Sequence, residues 1–379
     1  MQTKNKFSRL LSALLVSVAA ATVYTAAFPV NAAYLADNAD GETGGSVGSG
    51  AFFAGKAEEE IMLYPGGTPI GISLSSGGVT VVDMAEVRSE DGGVSNPAYE
   101  AGIRIKDLIT RVNGRDVSSA EEVTKKIESC DGEGLSITVK RQDDEFNFIL
   151  YPVKDAADGK YKAGIRIRDN TAGIGTLTYI VPETGEFGGL GHGVCDSETG
   201  EIVKFKKGRL FDVTVNGVVK GRSGVPGQLK GFFNPESTGT LKDNTQCGIF
   251  GVLSSLPQNL PEPIAAADKN KIKNGKAEIL CTLGDDGVQR YEVQLSQINP
   301  SESGNKCFMI TVTDSRLIER TGGIVQGMSG SPVIQGGKLV GAVTHVLVSE
   351  PTQGYGIFIE NMLREAENSL KPKNGKKAA

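Results

Sequence analysis

The sequence predicts a mainly β fold with minor α, arranged as two domains behind an N-terminal apolar segment. Three observations carry this expectation. Glycine occurs 50 times among 379 residues, about twice the ordinary share, and the glycines fall between short Val/Ile/Thr-rich runs, the pattern of tight turns between strands. No Gly-X-Y period accompanies them, which excludes a collagen-like chain. No long helical period occurs before residue 357, and many short strands with glycine punctuation point to barrels or sandwiches. The length suits two ordinary domains, and a hydrophobic share of 39% is enough to build real cores.

The chain begins with Lys4, Lys6 and Arg9, followed by an uncharged run over residues 10–36. This has the form of a signal peptide, with Val30-Asn31-Ala32 as its small-residue cleavage site. The run is also long enough to span a bilayer, which needs roughly 20 apolar residues, with the basic end kept in the cytoplasm. Residues 1–33 are therefore expected to be a signal peptide or membrane anchor, and the rest of the chain to lie outside the cytoplasm, secreted or tethered. Residues 34–57 are small and polar, with a Gly/Ser cluster over 44–50, and read as a flexible linker. Residues 371–379 form a Lys-rich, basic tail.

Residues 58–155 read as one small domain. It opens with Pro65-Gly66-Gly67-Thr68-Pro69-Ile70-Gly71-Ile72 and a strand-like Val79 to Val82. Asn96-Pro97-Ala98-Tyr99-Glu100-Ala101 reads as a short helix stopped by Gly102. Asp107-Leu108-Ile109-Thr110-Arg111-Val112 is a strand entering the turn Asn113-Gly114. Ser119 and Glu122 suit the start of a helix that carries Val123 and Ile127 on one face. Residues 137–141 and 146–150 alternate as two antiparallel strands. This string, above all Ala101-Gly102-Ile103, Asp107-Leu108-Ile109 and Val112-Asn113-Gly114, resembles a PDZ domain. The resemblance implies a peptide-binding role, with Pro69, Ile70, Gly71 and Ile72 receiving a peptide terminus by strand addition.

Residues 160–370 carry the second domain, a succession of short strands closed by one amphipathic helix with Ile359, Met362, Leu363 and Ala366 on its apolar face. The net charge is −5 without a concentrated basic face, so nucleic acid is not an expected partner. Five cysteines occur, none in a C-x-x-C pair, which gives no support to a metal site or thioredoxin-like chemistry. Their odd number and low density do not make a disulfide framework; they read as small thiols, with one bridge left open. No cofactor is implied.

The chemistry rests on Ser329, in Gly327-Met328-Ser329-Gly330-Ser331-Pro332. Flanking glycines let the backbone turn sharply and approach a substrate closely, and the amides of Gly327 and Ser329 would converge as an oxyanion hole for acyl transfer. A phosphate cradle is disfavoured, since no lysine and no helix follow; Pro332-Val333-Ile334 and residues 339–343 instead flank Gly336-Gly337 as a hairpin. A serine nucleophile needs a general base, and the chain has only two histidines, His192 and His345. His192, in the turn-like Gly188-Gly189-Leu190-Gly191-His192-Gly193, is the expected base; His345 alternates with apolar neighbours in a strand-like run. The carboxylate that would orient the base is open on spacing alone, among Asp196, Asp212, Asp243, Asp268, Asp285, Asp286 and Asp314. The serine segment and the order His before Ser resemble the chymotrypsin-like peptidases, which implies a double β-barrel; an α/β-hydrolase would place its His last.

A narrower resemblance follows from the apolar N-terminus, the PDZ-like domain, residues 172–179 leading to Leu190-Gly191-His192, Gly248-Ile249-Phe250-Gly251, and residues 321–332 around Ser329. These are similar to the stage IV sporulation protein B serine peptidases of endospore-forming bacteria. The resemblance implies Ser329, His192 and Asp314 as the catalytic triad. It implies an enzyme of sporulation signalling, in the space between forespore and mother-cell membranes. Such an enzyme cleaves itself and cuts a membrane-bound regulator, so that an intramembrane protease processes a sigma-factor precursor. Two competing readings are a non-catalytic PDZ scaffold and an extracytoplasmic quality-control serine protease. The complete His, Asp and Ser set disfavours the first, and a PDZ domain placed ahead of the peptidase disfavours the second.

Overall fold

The computed structural model describes residues 60–370, apart from 143 and 197–199. The N-terminal segment 1–33, the linker 34–57 and the basic tail 371–379 lie outside the described residues. Two long strands organise the first half, β1 (Pro69–Met84) and β5 (Ile165–Ile180), antiparallel to each other. Between them come helix α1 (Pro97–Ala101), strand β2 (Leu108–Val112), helix α2 (Ala120–Glu128) and the hairpin β3 (Leu135–Arg141) to β4 (Asp144–Leu150). After β5 follow β6 (Glu186–Gly189), β7 (Lys207–Val219), β8 (Gln228–Thr245) and β9 (Gly248–Leu253).

Pairing runs β1–β5–β6–β9–β8–β7 and returns from β7 to β1, so six strands close into a ring. Its interior holds Ile70, Ile72, Leu74, Leu177, Phe187, Leu190, Leu210, Leu241 and Ile249. A second closed barrel follows the order β10 (Gly275–Cys281), β11 (Gln289–Ser296), β12 (Phe308–Val312), β15 (Glu350–Phe358), β14 (Lys338–Leu347) and β13 (Pro332–Gln335). Helix α3 (Ser315–Thr321) links β12 to the loop before β13, and α4 (Ile359–Leu370) ends the described chain. The expected apolar face of α4 is present, with Ile359, Met362 and Ala366 buried in the core of the second barrel. The short strand Met62–Pro65 straps the two halves, pairing Tyr64 with Ile180 and Met62 with Ala265.

The PDZ-like features form as read. Asn96 caps α1 by accepting from the Tyr99 amide, and Gly102 ends it at φ +106°. Ser119 caps α2 by accepting from the Glu122 amide. Asn113 and Gly114 turn the chain at φ +52° and +73°, as a primed turn requires. Val79, Val81, Ile103, Ile109, Val123, Ile127, Ile137 and Val139 make a separate core.

This domain does not precede the barrel; it is inserted into it. Ser75 to Pro69 pair with Asn170 to Thr176 in the barrel wall, whereas Met84 to Thr80 pair with Ile165 to Arg168 in the PDZ sheet. The hand-off falls where the register shifts, beside Gly77 at φ +78°, as expected for an irregularity that bends a strand. The first barrel therefore begins within the stretch read as part of the 58–155 domain.

One expected site is corrected by this arrangement. Pro69, Ile70, Gly71 and Ile72 belong to the barrel wall and do not form a peptide-receiving loop. Ile70 and Ile72 are buried in the barrel core. Both edges of this stretch are already taken, by Gly173 to Thr176 on one side and by Leu210 to Asp212 on the other. No added peptide strand can hydrogen-bond there.

Candidate active site

The site forms where the loop before β13 meets the loop after β6. Four glycines in the first loop have left-handed φ: Gly322 (+78°), Gly323 (+132°), Gly327 (+98°) and Gly330 (+97°). At Gly330 a Cβ would lie 2.0 Å from the Thr176 carbonyl oxygen, so only glycine lets the two barrels close at this point. The amides of Gln326, Met328, Gly330 and Ser331 donate to Gly227, Val325, Val343 and Met328 respectively. Among the described residues, nothing accepts from the amides of Gly327 and Ser329. Two donors next to a serine are thus left for an incoming oxygen, the arrangement that stabilises a developing oxyanion.

Ser329 is half-buried, and its hydroxyl donates to the Thr344 carbonyl at 2.8 Å. His192 enters from the opposite barrel. Leu190 and Gly191, at φ +63° and +69°, turn the chain sharply after β6, and Gly191 packs against Thr344 and Ile357. The His192 Nδ1 lies 2.8 Å from the Gly193 carbonyl oxygen. A carbonyl can only accept, so Nδ1 carries the proton and Nε2 is the acceptor. Burial pushes the His192 pKa below its ordinary value, opposed by the Gly193 carbonyl. The ring is accordingly held neutral, the state a base requires.

His345, the other histidine, is also in the site. Its ring lies 5.0 Å from that of His192, centroid to centroid, at an interplanar angle of 38°. Burial lowers its pKa to about 3, helped by His192 and Lys306, and among the described residues its buried Nδ1 has no hydrogen-bond partner. The sequence presented the two histidines as alternatives; the fold brings both together.

Asp314, expected as the triad acid, is engaged elsewhere in this structure. It ends β12 and caps α3, its carboxylate accepting from the Arg316 amide at 2.9 Å. The same carboxylate accepts from Arg316 Nη2 at 2.7 Å and from the Glu292 amide at 3.3 Å. The Arg316 guanidinium, with those amides, holds its pKa down at about 2. No hydrogen bond or ion pair joins it to His192 among the described residues. The helix terminus and Arg316 claim the carboxylate, and the Gly193 carbonyl occupies the place beside Nδ1 where a triad acid would be.

Sequence reasoning also missed Asn244. This buried side chain accepts from the Val194 amide at 2.8 Å and donates to the carbonyls of Val194 at 2.8 Å and Val203 at 3.0 Å. It clamps the segment just after His192 to the end of β8. The available signal was the polar run Asp243-Asn244-Thr245 between two apolar strands, which reads equally well as an ordinary hairpin end. All five cysteines are free thiols, so the bridge left open is not formed.

The pattern of the family described as SpoIVB peptidase S55 matches residues 159–363, and that of the PDZ domain matches residues 95–141. The chain belongs to the SpoIVB peptidase S55 family. It is a serine peptidase with a PDZ domain ahead of the matched peptidase segment. No curated protein matches the chain. Among solved structures it is similar to the Rv3671c protease in its inactive form, at 13% identity over 52% of this chain and 84% of that one, with a TM-score of 0.29. It is also similar to the active form of the Rv3671c protease from M. tuberculosis, at 13% identity over 53% of this chain and 75% of that one, with a TM-score of 0.31. The S55 match begins at residue 159, so the family pattern takes in β5 onward, whereas β1, which completes the first barrel, lies upstream of the inserted PDZ domain.

Proposed function

We propose that this S55 peptidase is an extracytoplasmic endopeptidase of sporulation signalling, with Ser329 as nucleophile and His192 as general base. What supports the mechanism is that Leu190 and Gly191, just before His192, pack against Gly330 and Thr344, on either side of Ser329, whose hydroxyl bonds to the Thr344 carbonyl beside two amides open among the described residues. On substrate binding the Ser329 hydroxyl turns from the Thr344 carbonyl toward His192 Nε2, which takes its proton as Oγ attacks the scissile carbonyl. The amides of Gly327 and Ser329 hold the resulting oxyanion. The imidazolium then protonates the leaving amine, and water, activated by the same ring, hydrolyses the acyl-enzyme. The Gly193 carbonyl keeps the ring in the required tautomer throughout.

The PDZ domain supplies a protein-recognition surface, placed here between α2 and the first residues of β5. Ile165 and Ile167 are half-buried beside the PDZ core, next to Val123 and Ile127 of α2. Gly164, at φ +72°, turns the chain just before them. A peptide terminus adding along this stretch would gain backbone hydrogen bonds from β5 and apolar contact from α2.

The proposed substrates are the chain itself, cut in the 34–57 linker, and a membrane-bound regulator. Cutting the regulator would free an intramembrane protease to process a sigma-factor precursor. The N-terminal apolar segment and the resemblance to the sporulation peptidases support this setting, between the forespore and mother-cell membranes. Wild type and Ser329→Ala are each expressed with their N-terminal segment, and the mature N-termini are read by mass spectrometry. Cuts in the linker confined to the active form are expected; identical termini in both would remove self-cleavage from the reading.

A further inference from the structure

The nucleophile loop is held from the far side of the barrel seam at Gln326 by Gly227 and Leu229, at the start of β8, and at Gly327, Ser329 and Gly330 by β5. Thr176 of β5 is 2% exposed. Its Oγ1 donates to the Gly327 carbonyl at 2.7 Å, and its amide donates to the Ser329 carbonyl at 2.8 Å. Two residues on, Thr178, fully buried, donates its hydroxyl to the Gly330 carbonyl at 2.8 Å. The carbonyls of residues 327, 329 and 330 are thus all pinned by donors from the first barrel. The Gly327 carbonyl belongs to the peptide unit that lies between the two units carrying the Gly327 and Ser329 amides, which have no partner among the described residues.

Each peptide unit is planar, so fixing a carbonyl fixes the plane of its whole unit. The loop runs through several glycines with left-handed φ, a backbone with many alternatives of similar energy. The units carrying the Gly327 and Ser329 amides are held at their own carbonyls by Leu229 (Gln326 carbonyl, 2.8 Å) and Ser331 (Met328 carbonyl, 2.9 Å); the unit between them, whose carbonyl is that of Gly327, sets how the two are oriented to each other and is held by the Thr176 hydroxyl. The Thr176 backbone amide is common to any residue at this position, but the hydroxyl is not. Valine and leucine share the apolar, β-compatible character that a barrel strand asks for, and neither could satisfy the Gly327 carbonyl.

We infer that Thr176 is a positioning residue for the acyl-transfer step: its hydroxyl locks the Gly327 peptide so that the oxyanion donors stay convergent on Ser329. The inference rests on Ser329 being the nucleophile. Thr176 touches neither substrate nor reacting atoms and acts through the loop. Thr178 is the secondary tether, one residue further from the donors.

The test compares wild type, Thr176→Val, Thr176→Ser and Thr178→Val. Two measurements are made on each: the rate of covalent labelling by a serine-directed fluorophosphonate, and amide hydrogen exchange over residues 326–331. For Thr176→Val the expected result is a fall in labelling rate of about tenfold or more, with faster exchange confined to the loop. Thr176→Ser, which keeps the hydroxyl, should return the rate to within about threefold of wild type. Thr178→Val should give a smaller fall than Thr176→Val. A Thr176→Val protein with wild-type labelling and wild-type exchange overturns the inference, as does slowed labelling that Thr176→Ser fails to restore. Failure of the underlying assignment looks different: Ser329→Ala would still label, while the exchange comparison would still report whether the hydroxyl holds the loop.

Discussion

In the proposed mechanism the surroundings of His192 keep its ring neutral. A histidine in water titrates near pH 6.5; burial lowers that value for His192, and the Gly193 carbonyl fixes which nitrogen is open. The acid limb of kcat/KM, which reports the free enzyme's base, should therefore fall below about pH 6.5. A profile of kcat/KM against pH on a cleaved peptide measures it, and a midpoint at or above 7 would contradict the environment described for the ring. The stability linked to His345 follows the same sign. Its folded pKa is depressed to about 3, so its contribution is complete above the unfolded value near 6.5 and is lost as pH falls toward 3. Asp314 titrates lower still: its contribution is present above about 3.9 and lost as pH falls through about 2.

Asp314→Asn separates two roles for that carboxylate. Asparagine still caps a helix but loses the charge-assisted bonds to Arg316, so a loss of about 1 kcal/mol in stability is expected. The labelling rate should stay within about fivefold of wild type. A fall of about 10⁴ would instead mean that the carboxylate orients the imidazole. Denaturant melts paired with labelling kinetics distinguish the two. The sequence could not decide between them, because Asp314 before Ser315-Arg316-Leu317 carries the signature of an N-cap as well as that of a strand-end acid. Ser329 stands out in the sequence because its flanking glycines leave few other uses for the segment, and His192 because the chain has only two histidines.

At the level of elements, the local signals were read correctly and their pairing was not. The glycine stop at Gly102, the cap at Ser119 and the turn at Asn113-Gly114 each depend on neighbours a few residues away, and all form. The division of β1 between two sheets depends on a partner far along the chain, β5, and an alternating strand gives no local sign of which sheet will receive it. Ile70 and Ile72 therefore looked like part of a binding loop when they are barrel core. The insertion makes a direct prediction. Ser75 and Asn170 are paired at the barrel end of the ladder, so residues 76–169 can be replaced by a two-residue Asn-Gly turn, which suits such a hairpin. The shortened protein should unfold cooperatively by circular dichroism and still label at Ser329. An unfolded or aggregated product would mean that the barrel needs the PDZ domain to form.

Across the whole molecule, the residues of the candidate site are split between two closed barrels. His192 comes from the first, Ser329 and His345 from the second, and the seam is tied by Thr176, Thr178 and the Met62–Pro65 strand. On the proposed assignment neither barrel alone holds both His192 and Ser329, so activity is expected to depend on their docking. Chain order made this partly legible, since His before Ser excluded a hydrolase elbow. The seam itself was not, because its contacts are backbone carbonyls that any sequence carries. The most direct measurement is fluorophosphonate labelling of wild type, Ser329→Ala and His192→Ala side by side. The expected result is rapid labelling of wild type, none of Ser329→Ala, and labelling of His192→Ala slowed by about 10²-fold or more. Labelling that survives in Ser329→Ala would contradict the account.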